Sequence, residues 1–155
     1  MEIPTLDEEE MQMIYNWVDE IPLSRPKRNI ARDFSDGGTL SSLTFPVLMA
    51  EVVKHFVPHL VEIHNYSAAH SVSQKTYNWN TLNQKVFKKL GFTLTKKDID
   101  EIVNCVPDTV ERVLKMVQTQ VRANVRNNYR LSFIRRKKPR RPKKTLISRV
   151  RGSLH

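Results

Sequence analysis

The chain has 155 residues, with 26 Lys or Arg against 16 Asp or Glu and a formal net charge of +10. This length predicts one domain, or one domain with a tail. The single cysteine excludes an internal disulfide and fits a reducing compartment. No apolar run approaches the ~20 residues of a membrane span, and the acidic N-terminus lacks a signal-peptide pattern. We therefore expect a soluble intracellular protein with no membrane partner.

The positive charge is concentrated at one end of the chain. Residues 122–155 contain thirteen Lys or Arg and no Asp or Glu, which leaves thirteen basic and sixteen acidic residues in 1–121. The first part is therefore close to neutral, at −3, and the second part carries +13. The C-terminal region is thus the strongest attractor for any anionic partner.

The first predicted helix follows Thr5, which has Glu8 three residues later in the form of a capping box. Its inward side chains are Met11, Ile14, Tyr15, Trp17, Val18 and Ile21. Pro22 ends the helix, because proline disfavours helical geometry in the residue before it. A compact basic cluster follows, made of Arg25, Lys27, Arg28 and Arg32.

The second predicted helix is the most apolar and belongs at the centre of the fold. A short anchor and turn at 31–37 and a Ser/Thr-rich loop at 38–46 precede it. Its buried stripe consists of Leu48, Met49, Val52, Val53 and Phe56. Pro46 suits its first turn and Pro58 stops it.

Three further helices are predicted after an irregular stretch at 59–73. The first runs from Ser73 to Gly91, and its outward face includes Lys85, Lys88 and Lys89. A short helix opens at Thr95, and the last helix starts at Pro107 and carries an apolar stripe as far as Val125. The pattern therefore predicts an all-α fold of four principal helices plus short ones.

The helical pattern fades after residue 126, so we expect a domain over 1–126 and a basic, irregular tail over 127–155. Dense like charge with two prolines predicts disorder until an anion binds. The candidate binding residues of the tail are Arg135, Arg136, Lys137, Lys138, Arg140, Arg141, Lys143 and Lys144. Aromatic residues for base stacking are nearly absent there, so any nucleic-acid binding should be non-specific.

No residue pattern indicates catalysis, a metal or a cofactor. The histidines at 55, 59, 64 and 70 lack a complete metal-ligand pattern, and Pro58 separates the first two. Cys105 stands among valines without an indicated base, which predicts an inert core thiol. We therefore expect a binding protein rather than an enzyme.

A family pattern is present in six segments, at 17–30, 32–37, 50–52, 61–66, 78–83 and 86–90. These segments resemble a calponin-homology domain of the sperm flagellar, microtubule-associated (CLAMP) subfamily, and the resemblance covers about 7–120. The most specific run is Ile-Pro-Leu-Ser-Arg-Pro-Lys-Arg-Asn at 21–29. The loop at 38–46 departs from the family pattern as an insertion. A basic tail also stands where family members continue into a coiled coil, so bundling through a coiled-coil dimer is not expected.

The resemblance implies a non-catalytic protein of the cytoplasm and cytoskeleton that binds and stabilises microtubules in the axoneme of cilia or flagella, notably at the central apparatus. Tubulin is the implied partner, with other axonemal proteins beside it. By analogy the domain would dock through Arg25, Lys27, Arg28 and Arg32, and through Lys85, Lys88 and Lys89, with the basic tail as a second contact. Three alternatives stay open: an actin-binding calponin-homology module, a nuclear or nucleic-acid-binding protein acting through its tail, and a signalling adaptor.

Overall fold

A computed structural model describes residue 3 and the ranges 5–24, 45–67 and 71–137. The helices in these ranges are α1 (Glu8–Asp19), α2 (Phe45–Phe56), α3 (Val72–Leu82), α4 (Lys88–Leu90), α5 (Lys96–Val103) and α6 (Thr109–Lys137). Short 3₁₀ turns follow α2, at Pro58–Leu60 and Ile63–Asn65. The described ranges contain helix and no strand, so the predicted all-α class is confirmed. None of the helices described is both long and apolar enough to cross a bilayer.

Helix α1 starts with a capping box, two residues later than the sequence predicted. Asp7 accepts a hydrogen bond from the Glu10 amide at 2.8 Å, and Glu10 accepts one from the Asp7 amide at 3.2 Å. Asp caps a helix as well as Thr does, and three glutamates in the first turn favour the positive end of the helix dipole. The predicted Thr5 cap is therefore wrong, although the predicted helix is present.

Helix α2 lies in the core, as its composition predicted. Met49, Val52 and Val53 are buried, and the ring of Phe56 stacks on Trp17 of α1 at 5.6 Å between centroids. The helix ends before Pro58 but begins at Phe45. Residues 45 and 46 of the predicted loop are therefore helical, while 38–44 lie outside the described residues.

The predicted helix from Ser73 to Gly91 forms, but a π-helical turn at Asn83–Phe87 divides it into α3 and α4. Gly91 ends it with a φ of 104°, in the left-handed region that glycine tolerates best. The Asn83 side chain then fixes the following loop. Its amide donates to the Leu94 carbonyl at 2.9 Å and its oxygen accepts from the Leu94 amide at 2.7 Å.

Helix α5 begins as predicted at Thr95, whose side chain and that of Asp98 form a reciprocal capping box. It buries Ile99, Ile102 and Val103 against the rest of the core. The short fifth helix therefore confirms both the cap and the inward face that the sequence indicated.

Helix α6 packs against α1 and the core at its N-terminal end. The Tyr15 hydroxyl donates to the Glu111 carboxylate at 2.9 Å, and the Arg112 guanidinium donates to the Ile3 carbonyl at 2.7 Å. Val113, Leu114, Val117 and Val121 of α6 are each no more than 1% exposed. These contacts fix the first half of the helix.

The same helix continues to Lys137, so the predicted irregular structure is wrong for residues 127–137. The apolar stripe ends near Val125, but the stretch that follows contains no Gly or Pro before Pro139. Each residue added to an existing helix gains one backbone hydrogen bond without a new nucleation cost. Basic side chains in the last turn also favour the negative end of the helix dipole. Residues 138–155, the rest of the predicted tail, lie outside the described residues.

Candidate functional site

The predicted binding residues fall into two groups with respect to the structure. Lys85, Lys88, Lys89, Arg135 and Arg136 are described and exposed. The basic cluster Arg25, Lys27, Arg28 and Arg32 lies outside the described residues, as do Lys138, Arg140, Arg141, Lys143 and Lys144. Lys137 is the last residue of α6. The described candidates therefore form two surfaces, one on the π-helical turn and α4 and one on α6.

The chain segment that leads to the basic cluster is fixed to α2. The Ser24 hydroxyl donates to Glu51 at 2.6 Å, and the Ser24 amide donates to the other oxygen of that carboxylate at 3.0 Å. Arg25 is the next residue along the chain. Ser24, the last described residue before the cluster, is therefore held against α2.

The first surface is the lysine patch, defined here as Lys85, Lys88 and Lys89. The π-helical turn carries the first of these lysines and α4 carries the other two. Val86, Phe87 and Leu90, which alternate with the lysines, are buried. Burial of these neighbours turns the lysine side chains to solvent. Phe87 also stacks on Phe92 at 4.7 Å between ring centroids, which braces this end of the helix.

The positive charge of the lysine patch is not balanced by acidic residues nearby in the sequence. Residues 63–97 contain six lysines and no Asp or Glu. Lys96 and Lys97 in the first turn of α5 are exposed too, although the Lys97 ammonium lies 3.9 Å from Glu101. The patch is therefore an electropositive region on a domain whose α1 begins with three consecutive glutamates.

A cavity of about 330 Å³ opens beside the patch and is lined by Asn83, Gln84, Lys88 and Thr93. All four lining residues have polar side chains, and the Asn83 side chain already makes the two hydrogen bonds with Leu94. The cavity therefore adds donors and acceptors to the cationic surface, and its residues carry no nucleophile with an adjacent base.

The second surface is the α6 extension, defined here as residues 126–136, all of which are exposed. It contains Arg126, Arg130, Arg135 and Arg136, and no acidic residue lies anywhere after Glu111. Sequence reasoning missed the first two arginines because it placed the candidate binding residues in the dense basic run that begins at Arg135. Their spacing with Arg122, at successive intervals of four, was the available signal, since it aligns side chains along a helix.

Histidines and the cysteine have surface positions in the described ranges. His55 contacts Phe56 edge to face, and His64 lies 3.5 Å from Glu62. Among the described residues, no group of three His, Cys, Asp or Glu side chains could hold a metal ion. Cys105 is exposed with a φ of 57°, so the predicted core thiol is wrong. Its amide bonds to the Ile102 carbonyl and closes α5, which places the residue in a turn rather than in the core.

The most perturbed titratable groups lie away from both basic surfaces. Burial raises the pKa of Glu111, whose side chain is 2% exposed. Burial and the neighbouring Glu111 carboxylate together raise the pKa of Tyr15 far above its usual value of 10.0. Their hydrogen bond joins α1 to α6, so its role is structural.

Comparison with known proteins agrees with this helical architecture. Residues 14–119 match the family described as CH-like domain in sperm protein. The chain therefore belongs to this family of calponin-homology-like domains, as the sequence resemblance predicted. The description names a type of domain and no reaction.

Individual relatives carry the name Sperm flagellar protein 1. The Xenopus laevis protein is 53% identical over 115 residues, which are 74% of this chain and 46% of that protein. The human protein is 49% identical over 110 residues, or 71% of this chain and 43% of that protein. The chain thus spans less than half the length of these relatives.

Proposed function

We propose that this chain is a non-catalytic microtubule-binding protein of the ciliary or flagellar axoneme. Its domain would dock on tubulin through the lysine patch and the basic cluster at 25–32, and the basic residues from the α6 extension onward would make a second contact. The observation that supports this most is the exposed lysine patch, which belongs to a segment of six lysines without any acidic residue. The names of the relatives support the flagellar location.

Two weak contacts on one chain are sufficient for such a function. An exposed ion pair contributes about 0–1 kcal/mol, so no single lysine should decide binding. Linking two contacts can raise affinity by ~10²–10⁴ when both are engaged together. The screening length is ~8 Å at physiological ionic strength and shortens as salt rises. Because the charges of the lysine patch and of the α6 extension are exposed, binding should weaken at higher salt.

Co-sedimentation of the full chain with taxol-stabilised microtubules tests the proposal. One variant changes Lys85, Lys88 and Lys89 together to Gln. The matched control changes three dispersed lysines, Lys54, Lys75 and Lys115, to Gln, so that both variants lose the same positive charge. Three lost contacts of ~0.5–1 kcal/mol each predict a loss of affinity of about tenfold or more. The dispersed control should pellet nearly as the unchanged chain does.

Two further measurements distinguish microtubule binding from actin binding and from nucleic-acid binding. Parallel sedimentation with actin filaments tests the actin-binding module, and competition with duplex DNA tests a purely electrostatic tail. The proposal is overturned if both triple variants pellet equally, if actin is bound in preference to microtubules, or if DNA removes all binding. A variant with Arg25, Lys27, Arg28 and Arg32 changed to Ala extends the test to the cluster that precedes α2.

A further inference from the structure

The α6 extension exposes large apolar side chains that contribute nothing to the core. Tyr129 is 65% exposed, Leu131 54%, Phe133 63% and Ile134 50%. These four lie within six consecutive residues, on a segment in which every side chain described is exposed. Exposed apolar residues grouped in this way mark interaction sites more often than those scattered singly.

The four side chains form two faces on nearly opposite sides of the helix. Tyr129 and Phe133 are four residues apart and share one face, about 40° apart around the axis. Leu131 and Ile134 are three residues apart and share another, about 60° apart. The centres of the two faces are separated by about 150° around the axis. A partner that contacts both must enclose the helix.

The charge of the extension indicates which kind of partner it could bind. Residues 122–137 contain six Lys or Arg and no Asp or Glu. A second copy of the extension would bring two such sets together without any compensating carboxylate, so like-charge repulsion opposes self-association. An anionic bilayer would satisfy the charge, but a flat surface receives only one face of a helix. The distribution instead fits an acidic protein that surrounds a basic helix.

We propose that the α6 extension is a docking helix for a Ca²⁺-loaded EF-hand protein of the calmodulin class. Such proteins are acidic, and Ca²⁺ opens a Met-rich apolar groove in each of their two lobes. Basic amphipathic helices are their characteristic targets. One lobe would take Tyr129 and Phe133 and the other Leu131 and Ile134, with the arginines facing the acidic rims. This inference stands independently of microtubule binding.

Binding of the full chain to calmodulin, measured by calorimetry with Ca²⁺ and again with EGTA, tests the inference. One variant changes Tyr129 and Phe133 to Ala, and another changes Leu131 and Ile134 to Ala. Alanine favours helix, and these positions are exposed, so the fold should persist. The matched control changes Val72 and Tyr77 of α3, each 62% exposed, to Ala.

The expected result is binding with Ca²⁺ only, weakened about tenfold or more by each α6 variant and unchanged by the α3 control. Lack of Ca²⁺-dependent binding overturns the inference, and so does binding that survives either α6 variant, since an enclosing partner needs both faces. Flotation with phosphatidylserine vesicles runs alongside. Vesicle binding without calmodulin binding would assign the extension to a membrane surface instead.

Discussion

The two halves of α6 share one continuous helix but differ completely in environment. In the first half Val113, Leu114, Val117 and Val121 are almost fully buried against the core. In the second half every residue from 126 to 136 is exposed. The first half contains acidic Glu111, whereas the second contains arginines and no acidic residue. One element therefore contains both a core-forming segment and a solvent-facing one.

The first half of α6 therefore stabilises the fold, whereas the second half is available to bind a partner. Burial of apolar area stabilises the first half, at roughly 25 cal/mol per Å². The second half propagates from that anchored helix and needs no packing of its own. Its aromatic and aliphatic side chains are therefore free to contact a partner. Four tests would sharpen or break this contrast, in order from the largest expected effect to the smallest.

A matched pair of leucine substitutions should show the contrast most strongly. Leu114→Ala removes a side chain that is 1% exposed, and large-to-small changes at such sites cost about 2–5 kcal/mol. Leu131→Ala, at a site 54% exposed, should change the free energy of unfolding by no more than about 0.5 kcal/mol. Chemical denaturation of both variants measures this. Equal losses would mean that the extension packs on the domain.

Tyr15→Phe tests the hydrogen bond between α1 and the start of α6. Removing the hydroxyl leaves the buried Glu111 carboxylate without this donor, which should cost about 1–3 kcal/mol of unfolding free energy. Tyr77→Phe is the control, because its ring is 62% exposed. Thermal unfolding of the two variants gives the comparison. A loss of stability no greater than that of Tyr77→Phe would mean that the hydrogen bond between Tyr15 and Glu111 does not stabilise the fold.

Gly91→Ala tests the turn that ends the helix carrying the lysine patch. A Cβ there would meet the Gln120 side-chain oxygen of α6 at 3.6 Å, an ordinary contact, so the cost comes from the φ of 104° alone. A left-handed backbone costs a non-glycine residue about 1–2 kcal/mol. Denaturant unfolding should show that loss, with microtubule binding retained. An unchanged midpoint would contradict the left-handed turn.

The pH dependence of stability should contain a small contribution from Glu111. Burial raises the pKa of its carboxyl above the usual 4.5, so the folded chain keeps a proton that the unfolded chain loses. The free energy of unfolding therefore falls as pH rises from 4.5 to the raised native value, and this contribution levels off above it. Glu111→Gln should remove this part of the slope. If the free energy of unfolding depends on pH in the same way in the Glu111→Gln variant and in the unchanged chain, Glu111 does not make this contribution.

Much of the fold follows from periodicity in the sequence. Apolar spacing predicted the buried faces of α2 and α6, and Pro58 and Gly91 predicted helix ends. The π-helical turn was not predictable, because Val86 and Phe87 suit the inward face of an ordinary helix equally well. The cap of α1 was misplaced since Thr5 and Asp7 both have a glutamate three residues later.

The candidate site was predictable only in part. Exposure of the lysine patch follows from the buried positions that alternate with it. The α6 extension was missed because the periodic spacing of apolar residues reveals a helix that packs against a core. An exposed helix need not have such a spacing. Its length is set by propagation from the buried half, which depends on tertiary contacts that local sequence does not encode.

The most direct test of the account is amide hydrogen exchange of the full chain, alone and on saturating microtubules. In the free chain, amides at 113–121 should exchange at the rate of global unfolding and those at 126–136 much faster. On microtubules, protection should rise at 83–90, around the lysine patch, and within the extension. If 83–90 gains no protection while the chain is bound, the domain surface is not the tubulin contact and the proposed docking is contradicted.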